Sequence, residues 1–211
     1  MTIRLLIFLF ASLALLVLPG CGGGPDEFKL SGNTMGTIWR ATVIVPRGSG
    51  LDQDYLQRGI ERQLEAVNAS MSTYRSDSEI SRFNTAPVGE WFPVSRDFYL
   101  VLSAAMAIGW ESQGAYDVTV GPLVNLWGFG PGGTVTEVPA PAEIAATLER
   151  VGQDKLRVDG EGYRVRKLAG LYLDFSSIAK GFAVDEVARW LGGEGVESYL
   201  VEVGGEMRVS G

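Results

Sequence analysis

Histidine is absent from the 211 residues and cysteine occurs once, at Cys21. These two absences exclude histidine-based catalytic triads, zinc sites built from Cys and His, and disulfides within the chain. The ligands left for a metal are carboxylates and backbone oxygens, which suit Mg2+ or Ca2+. Basic clusters are also missing: 18 Lys and Arg stand against 25 Asp and Glu, for a net charge of −7. No nucleic-acid partner is expected of such a chain, and any phosphate it binds must be met locally by amides, a lysine or a metal ion. No repeat, coiled coil or low-complexity block appears, and the hydrophobic share of 46% with 20% charged residues is that of a folded globular protein.

The longest apolar run, Leu5 to Leu18, follows Arg4 and is shorter than the roughly 20 residues a spanning helix needs. Residues 1–20 read as a secretory signal. The run closes in Leu18-Pro19-Gly20-Cys21, which resembles the lipobox of bacterial lipoproteins, where the cysteine is lipidated and becomes the new N-terminus. Residues 21–27 read as a lipidated tether and 28–211 as the folded domain. The expected location is the bacterial cell envelope, on the periplasmic face of the inner or outer membrane.

Lys29 to Val45 reads as a strand with Thr37, Trp39, Ala41, Val43 and Val45 on one face, entered by a turn at Met35-Gly36. Asp52 to Tyr74 has the spacing of an amphipathic helix, leading into the polar loop MSTYRSDSEISRFN. Asn68-Ala69-Ser70 matches a glycosylation acceptor but falls on that helix, so it is set aside. Ser95 caps a helix over Arg96 to Gln113 whose apolar residues leave almost no polar face, as a buried helix requires. Gly128, Gly130 and Gly133 fit G-x-G-x-x-G formally. Pro131 inside the motif and the non-helical TVTEVPAP after it argue for a surface loop instead. Pro141 to Val151 reads as a short helix, Lys155 to Val158 and Tyr163 to Val165 as strands, and Ser198 to Val209 as one strand interrupted at Gly204-Gly205.

The chain is organised around LYLDFSSIAKGFAVDEVARWL, Leu171 to Leu191. Leu171, Leu173 and Phe175 alternate as in a strand with one buried face. Ala179, Phe182, Ala183, Val187, Trp190 and Leu191 then recur at helical spacing. At the junction, Ser176 or Ser177 is expected to cap the helix, whose N-terminus favours an anion. Asp174, two hydroxyls and Lys180 thus converge within one turn, although a capped helix after a strand is the simplest account of this stretch alone. Lys180 in a first helical turn works against the macrodipole unless an anion is near. Arg75, Arg82 and Lys167 are expected to be solvated.

Taken together, GNTMGTIWR, MSTYRSDSEISRFN, GAYDVTVGPLVNLWGFG, LDFSSIAKGFAVDEVARWL and SYLVEVGGEMRVSG resemble the ApbE family, the FAD:protein FMN transferases also called thiamine biosynthesis lipoproteins. The resemblance implies an α+β fold, a mixed sheet flanked by helices. It implies an enzyme that binds FAD with Mg2+, moves FMN to a threonine of an acceptor flavoprotein and releases AMP. Met35, Tyr74, Ala115, Tyr116, Asp117, Asp174 and Lys180 fall on dinucleotide contacts of the family, and Ser177 on a backbone-carbonyl ligand of Mg2+. No residue is assigned the chemical step. Family members continue past the Gly-Gly-Glu strand into a half with a His-Ile-Leu-Asp-Pro segment and an Asp/Thr metal site. The chain therefore reads as an N-terminal fragment, inactive or poorly folded by itself. Two other activities fit the same residues: hydrolysis of FAD to FMN and AMP, and flavin binding without chemistry.

Overall fold

In the computed structural model, residues 24–134 and 137–211 are described. The expected leader over 1–20 and the lipidation at Cys21 lie outside them. The alternation around Trp39 becomes a hairpin: β1 (Asp26–Thr34) runs antiparallel to β2 (Thr37–Val45), with Asp26 opposite Val45. Strand β1 thus begins at Asp26, inside the stretch expected to be tether. The two turn residues, Met35 at φ 49° and Gly36 at φ 70°, both adopt the left-handed conformation that a tight two-residue hairpin demands. Glycine is at home there. A methionine is strained by about 1 kcal/mol, a cost worth noting in a residue that faces a cleft.

The hairpin belongs to a four-stranded sheet of order β1-β2-β6-β7, antiparallel throughout. Its last two members are β6 (Ser198–Val203) and β7 (Glu206–Ser210), so the interrupted strand folds back on itself at Gly204-Gly205. A second antiparallel sheet, β3-β5-β4, joins β3 (Trp91–Pro93), β5 (Arg164–Lys167) and β4 (Leu156–Asp159). Helix α1 (Gln53–Met71) and helix α6 (Ala179–Gly193) pack on the larger sheet and on each other. Their contact is close: a Cβ on Gly59 would stand 1.9 Å from the Trp190 ring. A chain of edge-on aromatic rings, Phe92 to Phe83 to Phe98 to Phe175, carries the core from the smaller sheet to the segment before α6. Phe83, Phe98 and Phe175 are fully buried, each contributing roughly 2–3 kcal/mol of transfer free energy, and Phe92 is partly buried.

The fold is α+β, and among the described residues parallel pairing is confined to one isolated bridge, Val120 with Tyr172. Several local expectations are corrected. The polar loop after α1 contains a further helix, α2 (Glu79–Thr85), capped by Ser78, whose Oγ accepts the Ser81 N–H at 3.2 Å. Helix α3 (Arg96–Glu111) is capped by Ser95 as expected, but it buries one stripe, Phe98, Val101, Leu102, Ala105 and Gly109. It leaves Leu100, Ile108 and Trp110 exposed. A short helix α4 (Gly121–Leu126), to which no element was assigned, precedes the glycine-rich loop, and α5 (Pro141–Leu148) buries none of its residues. Leu171–Phe175 is extended but joins neither sheet. Neither Ser176 nor Ser177 caps α6, whose N-cap is Ile178 with no side-chain bond. Lys167 is not solvated: it alternates with Val165 on the inner face of β5 and is 4% exposed. Among the described residues no helix is long and apolar enough to cross a membrane.

Candidate functional site

Four pieces of chain meet around a cleft of about 760 Å3: the Met35-Gly36 turn, the C-terminal half of α1 from Glu65, the loop Ser72–Arg75, and the start of α6 with Ser176, Ala179 and Lys180. Each is fixed by side chains that reach across elements. Asn68 of α1 donates to Thr34 Oγ1 at 3.0 Å, tying the helix to the hairpin beside the turn, which is the structural use of the residue in the rejected glycosylation triplet. Ser78 Oγ donates to the Ser72 carbonyl at 2.7 Å and holds the start of the cleft loop. Tyr74, 66% exposed, donates from its hydroxyl to the Phe129 carbonyl at 2.6 Å, so its ring is held by the glycine-rich loop while its face stays free.

Charge is arranged unevenly around the cleft. Arg75 lines it but is held by Asp77 and Glu65, whose hydrogen bonds push its guanidinium above the ordinary arginine value, while Arg75 in turn pulls the Asp77 carboxyl down. Lys180 makes no such ion pair among the described residues. Its Nζ reaches only the Ser176 carbonyl at 3.4 Å, and Gly204 leaves room for its stem, since a Cβ there would stand 3.1 Å from Lys180 Cδ. Helix α6 has no side-chain cap and no acid in its first turn. Its positive end and Lys180 together present a site for an anion.

Of the residues expected at a dinucleotide, Met35, Tyr74 and Lys180 line the cleft together. Tyr116 stands beside it, sharing a hydrogen bond of 3.0 Å between its hydroxyl and Ser177 Oγ. Ala115 and Asp117 do not line it. Asp117 turns inward, where its Oδ1 accepts from Thr119 N–H at 2.8 Å and Thr119 Oγ1 at 2.7 Å, and Thr119 Oγ1 accepts from the Gly152 N–H at 2.7 Å. Asp174 is 7% exposed, and its Oδ1 accepts the N–H of the cleft residue Ser176 at 2.7 Å. Arg75, read as solvated, and Thr73, not singled out at all, are among the cleft residues that sequence reasoning missed. Thr73 is buried and its Oγ1 has no partner among the described residues. The only signal for either was adjacency to Tyr74.

Among the described residues no group of three or more acidic, Cys or His side chains could hold a metal. The Ser177 carbonyl could give one oxygen, and Asp174 already has one carboxylate oxygen engaged. That donor set falls short of the six oxygens Mg2+ requires, so these residues do not by themselves form a magnesium site.

Fold and cleft define an α+β protein that sets Lys180, without an ion pair among the described residues, and an uncapped helix start in one cleft with the flat Tyr74 ring and the polarizable Met35 side chain, in a volume usual for a small-molecule site. The chain belongs to the ApbE family, whose sequence profile matches residues 35–211. The FAD:protein FMN transferase of Vibrio cholerae is 44% identical over 204 residues, which cover 97% of this chain and 60% of that protein. That of Haemophilus influenzae is 40% identical over 200 residues, 93% of this chain and 58% of its own length. Among solved structures, the flavin transferase ApbE from Vibrio cholerae superposes with a TM-score of 0.84 at 45% identity, covering 89% of this chain and 60% of that one. The Pseudomonas stutzeri flavinyl transferase ApbE in its apo form gives 0.84 at 38% identity, covering 90% and 62%. The chain thus spans about 60% of the length of the relatives it matches.

Proposed function

We propose that the protein is a flavin transferase that moves FMN from FAD to a threonine of an acceptor flavoprotein, releasing AMP in a Mg2+-dependent reaction. The observation that carries this reading is the meeting of Met35, Tyr74 and Lys180 around one cleft of about 760 Å3, large enough for a dinucleotide. The faces of Tyr74 and Met35 suit a flavin ring, and Lys180 with the start of α6 suits the diphosphate. Magnesium dependence is part of the proposal and is carried by the motif resemblance, not by the donor set among these residues.

In the transfer, the bond between the FMN phosphorus and the bridging oxygen breaks. The threonine oxygen bonds to that phosphorus, AMP leaves with the bridging oxygen, and the threonine proton is lost to solvent or a base. Charge accumulates on the phosphoryl oxygens and the leaving AMP, and Lys180 is the cation this chain offers to offset it. The proposed location is the periplasmic face of a bacterial membrane, with Cys21 lipidated.

The test is to express the full reading frame and incubate it with FAD, Mg2+ and a peptide carrying an acceptor threonine, with mass spectrometry for the FMN adduct. Absence of adduct refutes transfer. Steady AMP release without acceptor selects hydrolysis instead, and tight FAD binding without turnover selects a flavin-binding protein.

A further inference from the structure

The segment Leu171–Phe175 is extended but has no strand beside it on one edge among the described residues. On its other edge, the Asp174 N–H bonds the Val118 carbonyl at 2.8 Å and Tyr172 bridges Val120. A single side chain takes the place of the missing strand. Asn84, near the end of α2, donates from Nδ2 to the Leu173 carbonyl at 2.9 Å and accepts the Leu173 N–H on Oδ1 at 2.7 Å. Both backbone groups of a fully buried residue are thereby satisfied, as a ladder neighbour would satisfy them. Asn84 is itself held from behind, because its own carbonyl accepts from Nζ of the buried Lys167 at 2.8 Å.

The next residue along is Asp174, whose Oδ1 holds the Ser176 N–H, and Ser176 lines the cleft one turn before Lys180. Packing of Leu173 and Phe175 keeps the segment in the core, but apolar contact does not set the plane of a peptide; directional hydrogen bonds do. We propose that Asn84 is a positioning residue for the ligand cleft: by gripping Leu173 it orients Asp174 and the Ser176-Ser177 turn that Asp174 organises. This rests on the reading of the cleft as a flavin-dinucleotide site.

The test compares wild type with N84A, N84D, D174A and N84A/D174A in the full reading frame. FAD affinity is read by flavin fluorescence and local order by amide hydrogen exchange. N84A is expected to weaken FAD binding about tenfold and to speed exchange of amides 171–177 by a similar factor, with the amides of α1 unchanged. N84D keeps an acceptor for the Leu173 N–H and loses the donor to its carbonyl, so it falls between, and it serves should N84A not fold. Because Asn84 acts through Asp174, the double variant should bind no more weakly than D174A. The proposal is overturned if the two single losses multiply in the double variant, if exchange at 171–177 does not change, or if α1 loosens to the same degree. Failure of wild type to bind FAD sinks the ligand reading on its own, while local exchange in N84A still decides whether Asn84 holds the turn.

Discussion

Glu79 is 8% exposed and faces no cation within ion-pair distance among the described residues, yet three donors converge on it. Ser70 Oγ reaches one carboxylate oxygen at 2.7 Å, Ser95 Oγ reaches the same oxygen at 2.7 Å, and the Ser95 N–H reaches the other. Ser70 lies in the last turn of α1 and Ser95 caps α3, so one carboxylate, four residues after the Ser72–Arg75 loop that lines the cleft, joins three helices. Hydrogen bonds to a charged group are worth about 1.5–3 kcal/mol each, a sum of about 4.5–9 kcal/mol if nothing relaxed. Glu79→Ala lets water or rotated hydroxyls recover part of this but strands the Ser95 amide. A net loss of about 4 kcal/mol is expected, or about 8–16 °C in melting temperature for a chain of this size. Glu79→Gln keeps the shape and one acceptor oxygen, while its amide nitrogen must face a donor, so about 2 kcal/mol is expected. Urea unfolding of the two variants with Ser70→Ala, expected near 1 kcal/mol, checks the ordering. An alanine variant within about 1 kcal/mol of wild type, or a glutamine variant as costly as the alanine, would refute the three-donor account.

Other substitutions separate competing effects. Gly59→Ala should gain about 1 kcal/mol of helix propensity but lose more to overlap with the Trp190 ring 1.9 Å from the new Cβ, for a net fall of about 1–2 kcal/mol in thermal or urea unfolding. Burial holds the Lys167 ammonium below its ordinary value of 10.5, so between the lowered value and 10.5 the unfolded chain binds a proton that the native chain does not. Native stability then rises with pH across that window, and wild type should gain on Lys167→Met in melts run at successively higher pH up to 10.5. Tyr74→Phe removes an exposed hydrogen bond of 2.6 Å to Phe129 and should change stability by no more than about 0.5 kcal/mol. It should also weaken FAD binding less than Tyr74→Ala, since the ring face is kept. Lys180→Ala should weaken FAD more than riboflavin in the same titration if the lysine meets the diphosphate, and equal effects on the two would place it elsewhere.

Elements whose apolar residues repeat regularly were legible. The alternation from Trp39 to Val45 marked β2, the spacing of Leu56, Ile60, Leu64 and Val67 marked α1, and Ser95, a capping residue by type, marked the start of α3, where its Oγ accepts the Phe98 N–H at 3.2 Å. Helix α2 was not, because seven residues give only Ile80 and Phe83 as apolar markers amid Ser, Arg and Asn, too few to establish a period. Leu171, Leu173 and Phe175 did alternate, and all three are buried. Alternation reports an extended backbone, however, and says nothing of what bonds its amides. The helix after it was legible by period, whereas its cap was not: Ser176 and Ser177 stand in the turn before Ile178, one donating its amide to Asp174 and the other meeting Tyr116.

The same distinction explains which parts of the site could be read. Met35, Tyr74 and Lys180 belong to motifs whose residue types suggest their use, a flat ring, a soft thioether and a cation at a helix start. The groups that put them in place are Asn68, Ser78, Glu79 and Asn84, polar residues bonded to partners up to 89 positions away. Nothing local separates such a residue from a solvated one. Lys167 shows this most sharply: its neighbours Arg164 and Arg166 share its strand and its charge, yet the pleat turns Lys167 inward to the Asn84 carbonyl and over the Phe83 ring, while Arg164 and Arg166 cover Trp91. A strand written as Arg-Val-Arg-Lys has one apolar residue to declare its inner face, and the lysine shares that face only because it stands two positions from Val165. Its burial, and with it the support behind Asn84, follows from the pleat and from where α2 ends, two facts that charge and hydropathy do not encode.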